Sequence, residues 1–149
     1  QQKINIPIVG GSAGYVIPDF AKALGDYADG VLSICSANYD LDTTSTERYR
    51  KRFNAFMVHE AVEHAVSLDV LIQSINAAKS AKTEDITRTL RSMTFTDGWA
   101  KTMTNGKIKF DETGLNIHAE PVMVQWQKNE LATVWPPKFA KAKVISRNV

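Results

Sequence analysis

Cys35 is the chain's single cysteine, so no disulfide can form within it. That leaves the compartment open, because many exported bacterial proteins carry no disulfide. No apolar run approaches the roughly 20 residues that a membrane-spanning helix needs. No block of like charge stands out either. Acids and bases are interleaved and the net charge is only +2, which argues against a nucleic-acid partner. Phosphate-loop and dinucleotide signatures are missing, and so is a serine elbow. No histidine stands near Cys35, which ends an apolar run without a basic neighbour and reads as an inert packing residue. With no catalytic constellation, a non-enzyme is expected, without cofactor or metal. Gln1-Gln2-Lys3 leads almost directly into an apolar run, with neither methionine nor signal peptide. The expectation is that a leader has been removed or that a larger N-terminal part precedes.

What is present suits a soluble globular protein. The 149 residues are 44% hydrophobic and 23% charged, enough for a sizeable core. Ile4 to Val9 is short and β-branched and reads as a buried strand, closed by Gly10 and Gly11. Pro18 and Asp19 suit a first helical turn, and the helix should end near Gly25. Val31 to Ala37 is a second strand, and so close a strand–helix–strand order implies a parallel crossover. Thr44-Ser45-Thr46-Glu47 has the form of a capping box before a basic helix, Glu47 to Phe53. A long helix follows, about Ala55 to Ala78, with Val58, Ala61, Val62, Ala65, Leu68, Ile72 and Ile75 as its core stripe. Thr83 caps a further helix to about Ser92. Beyond Gly98 the texture turns to strands: Lys107 to Phe110, then Pro121 to Gln127 and Ala132 to Trp135 as a hairpin around Lys128-Asn129-Glu130. The fold class is α/β.

Several features carry both a plain and a functional reading. Gly10-Gly11-Ser12-Ala13-Gly14 follows a strand and precedes a helix. It is a simple turn, or a loop whose small residues let a ligand approach the backbone. His59-Glu60-Ala61-Val62-Glu63-His64 resembles a metal helix, yet its histidines are five apart, about 140° around the helix, where zinc needs four. A solvated face is the plainer reading, and a hydrolase using His59, Glu63 and His64 is the alternative. Asp69 falls on the apolar side of the long helix, so it is bonded within the core or lines a cleft. Arg48, Arg50, Lys51 and Arg52 are too short a patch to outweigh a solvated amphipathic helix. Trp99, Trp126 and Trp135 read as core or cross-strand partners.

The order of these pieces resembles one family. PIVGG…PDFAKALGDYADGVL, ERYRKRFN…AVSLDVLIQSINAAKS, EDITRTLRSMTFT, NGKIKFDETG and VMVQWQKNELATVWPP look like successive segments of periplasmic solute-binding proteins of the leucine/isoleucine/valine-binding type, in its C-terminal portion. The resemblance implies part of a two-lobe type I fold, with parallel strands, flanking helices and a closing β-hairpin. It puts residues 1–38 in the second lobe, 39–115 in the first, and 116–149 back in the second. It implies a non-catalytic solute trap in the periplasm or outside a bacterial cell, delivering to the membrane subunits of an ABC importer. A regulatory ligand-sensing domain is the variant of that reading. The opening strands of the first lobe are missing, so the remainder of its own chain, or a complementary fragment, is expected as a partner. The implied ligand-binding residues are Ser12, Ala13, Gly14 and Tyr15, with Asp69. Amino-acid-binding members often have an acid in the loop that is GGSAG here. Its absence points to a neutral or anionic solute such as a small carboxylate, unless Asp69 supplies the counter-charge for a branched-chain or aromatic amino acid.

Overall fold

Glycine and proline punctuation sets the first elements. A computed structural model describes residues 6–11 and 13–146. Strand β1 (Val9–Gly11) leads through a 3-10 turn at Ala13–Tyr15 into helix α1 (Pro18–Leu24), which Pro18 opens and Gly25 closes at φ 54°. Strand β2 (Leu32–Cys35) lies parallel to β1, with Val9 against Leu32 and Gly11 against Ile34, as the crossover order predicts. Only the end of the expected first strand falls on β1; residues 1–5 and Ser12 lie outside the described residues.

Helix α2 (Thr43–Phe53) starts earlier than the expected capping box. Its cap is Asp42, whose carboxylate accepts from the backbone N–H of Thr44 and Ser45 at 3.1 and 3.3 Å. A carboxylate at the helix start satisfies free N–H groups and meets the positive end of the dipole. Helix α3 (His59–Ala78) is followed by α4 (Thr83–Ser92), β3 (Thr94–Phe95), a 3-10 turn at Gly98–Thr102 and β4 (Ile108–Lys109). The closing hairpin is β5 (Val122–Gln127) and β6 (Glu130–Trp135). Its turn is two residues, not three. Lys128 and Asn129 both take positive φ, 52° and 63°, which matches the twist of an antiparallel pair.

The chain forms two compact units, one of residues 1–59 with 121–149 and one of 60–120. The first holds a mixed four-stranded sheet in the order β1-β2-β5-β6. Its core gathers Val16, Ala21, Ala28, Val31, Cys35, Val122, Val124, Trp126 and Leu131. Residues 39–59, which the resemblance assigned with the following helices, cluster with this sheet. The reason is a buried polar knot. Asn38 Nδ2 donates to Leu131 O and to Thr133 Oγ1, and Asp40 accepts from the Thr133 N–H and hydroxyl. Tyr39 donates its hydroxyl to Glu130 at 2.7 Å.

The second unit is built on α3 and α4, with β3 and β4 paired antiparallel. The expected stripe of α3 needs correction. Val62, Val66, Val70 and Ser74 are buried, whereas Leu68 is 60% and Ile72 47% exposed. These apolar residues surround so much of the helix that period alone could not choose the inward face. Lys109 anchors the end of α4, its ammonium donating to the carbonyls of Arg91 and Ser92 at 2.7 Å each.

Candidate functional site

The carboxyl ends of parallel strands are where open α/β sheets hold ligands. Here β1 and β2 end side by side, β1 in the small-residue loop through Gly14 and β2 in Ser36–Asn38. Of the expected ligand residues, Ala13, Gly14 and Tyr15 are together in that first loop, as the 3-10 turn after β1. Ser12 lies between them and β1, outside the described residues. A Cβ placed on Gly11 or Gly14 would meet no atom within 4 Å, so both open onto free space. Gly10 is different. A Cβ there would fall 2.3 Å from the Tyr15 ring, so the aromatic lies flat over the strand where only glycine fits. Phe20 supports the ring from the side, with centroids 5.3 Å apart. Trp126 Nε1 holds the Tyr15 carbonyl at 2.6 Å. The loop is therefore pinned at Tyr15 and small-faced at Gly11 and Gly14.

The second loop has a carboxylate that sequence reasoning passed over, Asp40, but both its oxygens are engaged. The Asn38–Asp40 pair right after a strand was its signal. Ser33 ties the strands below, donating to Gly10 O at 2.9 Å. Tyr39 titrates well above a normal phenol, through burial first and then its hydrogen bond to Glu130.

Asp69 sits in the other unit. Its Oδ2 accepts from the Trp99 N–H at 2.8 Å and from Gln73 Nε2 at 3.0 Å. Gly98 lies against the same oxygen; a Cβ at Gly98, where φ is 58°, would approach it to 2.2 Å. The carboxylate thus holds the start of the 3-10 turn Gly98–Thr102.

His64 Nδ1 lies 2.7 Å from the Glu60 carbonyl one turn back. Among the described residues no three His, Cys, Asp or Glu side chains are grouped to hold a metal ion, so the five-residue histidine spacing does not build a centre. Two grooves are lined elsewhere. One in the second unit, of about 430 Å³, is walled by Val66, Val70, Leu90, Ile108 and Phe110 with Arg91 at its side. One in the first unit, of about 440 Å³, has Trp126 and Phe56 with Lys22, Arg50 and Glu130. Neither includes Ala13, Gly14, Tyr15 or Asp69. No helix among the described residues is long and apolar enough to cross a membrane.

Comparison with known proteins gives a consistent result. The chain is 26% identical over 148 residues to Leu/Ile/Val-binding protein homolog 8 of Brucella abortus, covering 93% of this chain and 36% of that protein. It is 24% identical over 146 residues to homolog 7 of Brucella suis, covering 92% of this chain and again 36% of that protein. The chain therefore spans about a third of the length of the curated relatives it matches. A leucine-binding protein from Thermotoga maritima shares its fold with a TM-score of 0.68 at 18% identity, over 85% of this chain and 35% of that one. A Silicibacter pomeroyi protein assigned as a branched-chain amino acid ABC transporter gives 0.70 at 16%, over 93% and 40%. The family model described as periplasmic binding protein matches residues 2–130, and the chain belongs to that family.

Proposed function

We propose that this chain is part of the periplasmic solute-binding component of an ABC importer, and that the loop after β1 forms one wall of its solute site. The observation that carries the reading is the pairing of a parallel β1–β2 end with a loop whose Gly11 and Gly14 open onto free space. Small residues there let backbone N–H groups, and the Ser12 hydroxyl, reach an oxygen of the solute, while Tyr15 offers an aromatic edge. The solute class is a small organic carboxylate, free or as part of a branched-chain or aromatic amino acid. The relatives' names favour leucine, isoleucine or valine. In this reading Asp69 positions its own turn, its Oδ2 accepting two hydrogen bonds, and is not assigned to the solute's ammonium. A counter-charge for an amino acid then comes from protein outside this sequence.

The reading assigns the sheet unit to the second lobe and the α3–α4 unit to the first. It implies no catalysis, and a regulatory sensor would share the same trap. Calorimetry on the natural-length protein tests it, with leucine, isoleucine, valine, phenylalanine and their deaminated carboxylates as titrants. Saturable binding of one class is expected, and the better class decides between amino acid and carboxylate. Absence of binding to both classes, or turnover of any titrant, would overturn it.

A further inference from the structure

The groove of the first unit is built by separate segments of the chain. Helix α1 gives Lys22, α2 gives Arg50, the segment after α2 gives Phe56, and the closing hairpin gives Trp126 and Glu130. Its volume of about 440 Å³ lies within the roughly 300–1,000 Å³ range of small-ligand clefts. The apolar walls are fixed. Trp126 is 2% exposed, and its Nε1 donates to Tyr15 O at 2.6 Å. Phe56 is half-buried and meets Tyr39 edge-on, with ring centroids 4.8 Å apart. Walls already in place need little ordering when a ligand enters.

Charge decides what fits between them. Lys22 and Arg50 are exposed, and each stands three residues after an acid on its own helix, Asp19 and Glu47. Such a pair can close across one helical turn, as Arg88 does with Asp85 at 3.2 Å. Lys22 and Arg50 do not; among the described residues neither has an ion-pair partner, and both line the groove. Glu130 is the acid of the lining, and one of its oxygens accepts the Tyr39 hydroxyl at 2.7 Å. Two cations against one carboxylate leave the groove positive above its aromatic walls.

We propose that this groove is an accessory binding site for a small aromatic monocarboxylate, with its ring against Phe56 and Trp126 and its carboxylate at Lys22 and Arg50. A guanidinium offers the planar fork that a carboxylate matches, and the ammonium adds a point charge. A neutral aromatic would leave both cations unpaired, and a second negative charge would meet Glu130. The groove takes none of its lining from the Ala13–Tyr15 turn, so the inference is independent of the solute reading.

Titration of the natural-length protein with naphthoate tests it, followed by NMR at the indole N–H of Trp126. A saturable shift is expected. The protein carrying both Lys22→Gln and Arg50→Gln should bind at least about tenfold more weakly, with its fold checked by circular dichroism. Glu130→Gln removes the opposing charge and should tighten binding about two- to fivefold. In the unmodified protein the neutral analogue naphthalenemethanol should bind at least about tenfold more weakly than naphthoate. The absence of a saturable shift would overturn the proposal. Unchanged affinity in the double variant would also overturn it, by putting naphthoate in another site. Equal affinity for the neutral alcohol would overturn it too, by making the groove a plain apolar contact.

Discussion

Removing the Asp69 carboxylate is the sharpest test of how the second unit is held. Asp69→Ala takes away the acceptor of two hydrogen bonds and leaves the half-buried Trp99 N–H without its 2.8 Å partner. A hydrogen bond to a charged group is worth about 1.5–3 kcal/mol, and partial solvent access puts the loss near the lower end, about 2 kcal/mol. For a chain of this size that lowers the melting temperature by roughly 4–8 °C. Gly98→Ala attacks the same contact from the other side. Its new methyl would meet Asp69 Oδ2 at 2.2 Å, and φ 58° adds about 1–2 kcal/mol of left-handed strain. Both together should be less damaging than the sum, because the methyl no longer meets a carboxylate and only the strain remains. The assay is a double-mutant cycle by thermal melts followed in the far ultraviolet, with coupling expected to exceed about 0.5 kcal/mol. A silent Asp69→Ala, or strictly additive losses, would refute the reasoning.

Other predictions follow from single contacts. Thr133→Val should cost about 1–3 kcal/mol in denaturant unfolding, since buried Asn38 loses one of its acceptors and Asp40 a donor. Lys128→Asn should raise stability by about 0.5–1 kcal/mol, because asparagine tolerates φ 52° better than lysine, and the backbone bond to Asp29 at 2.8 Å is unaffected. Asp111 is held below the ordinary aspartate pKa of 3.8, first by the Thr113 hydroxyl and then by backbone N–H groups. Its loop is therefore favoured above that pH and loosens as pH falls through the lowered pKa. An NMR titration should show the depressed midpoint, and Thr113→Val should move it up.

The first unit was the more legible in sequence. Pro18 and Gly25 bracket α1 as expected, and the short strand–helix–strand spacing delivered the parallel pair. The hairpin was visible as two strands around a polar turn, although Lys128-Asn129 lacks the usual glycine and blurred the turn by one residue. In the second unit, period failed where apolar residues are spread around α3. Leu68 and Ile72 took the place of Val66 and Val70 in the expected stripe, and the tertiary surroundings chose otherwise. Asp42 was overlooked because a four-residue capping pattern began two positions later. The Asn38–Asp40–Thr133 knot joins residues more than ninety positions apart, a distance that no local pattern spans. The candidate loop was found from its place after a strand and its small residues, but that Tyr15 folds back over Gly10 is a matter of packing alone.

The central claim is that the loop after β1 faces a solute, and Gly14→Val tests it most directly. The added side chain enters open space without positive-φ strain, so the melting temperature of the unliganded protein should hardly move. In calorimetry on the natural-length protein, the variant should bind the solute at least about tenfold more weakly, a loss of about 1.4 kcal/mol. Unchanged affinity in a variant that folds normally would contradict the account and place the solute elsewhere.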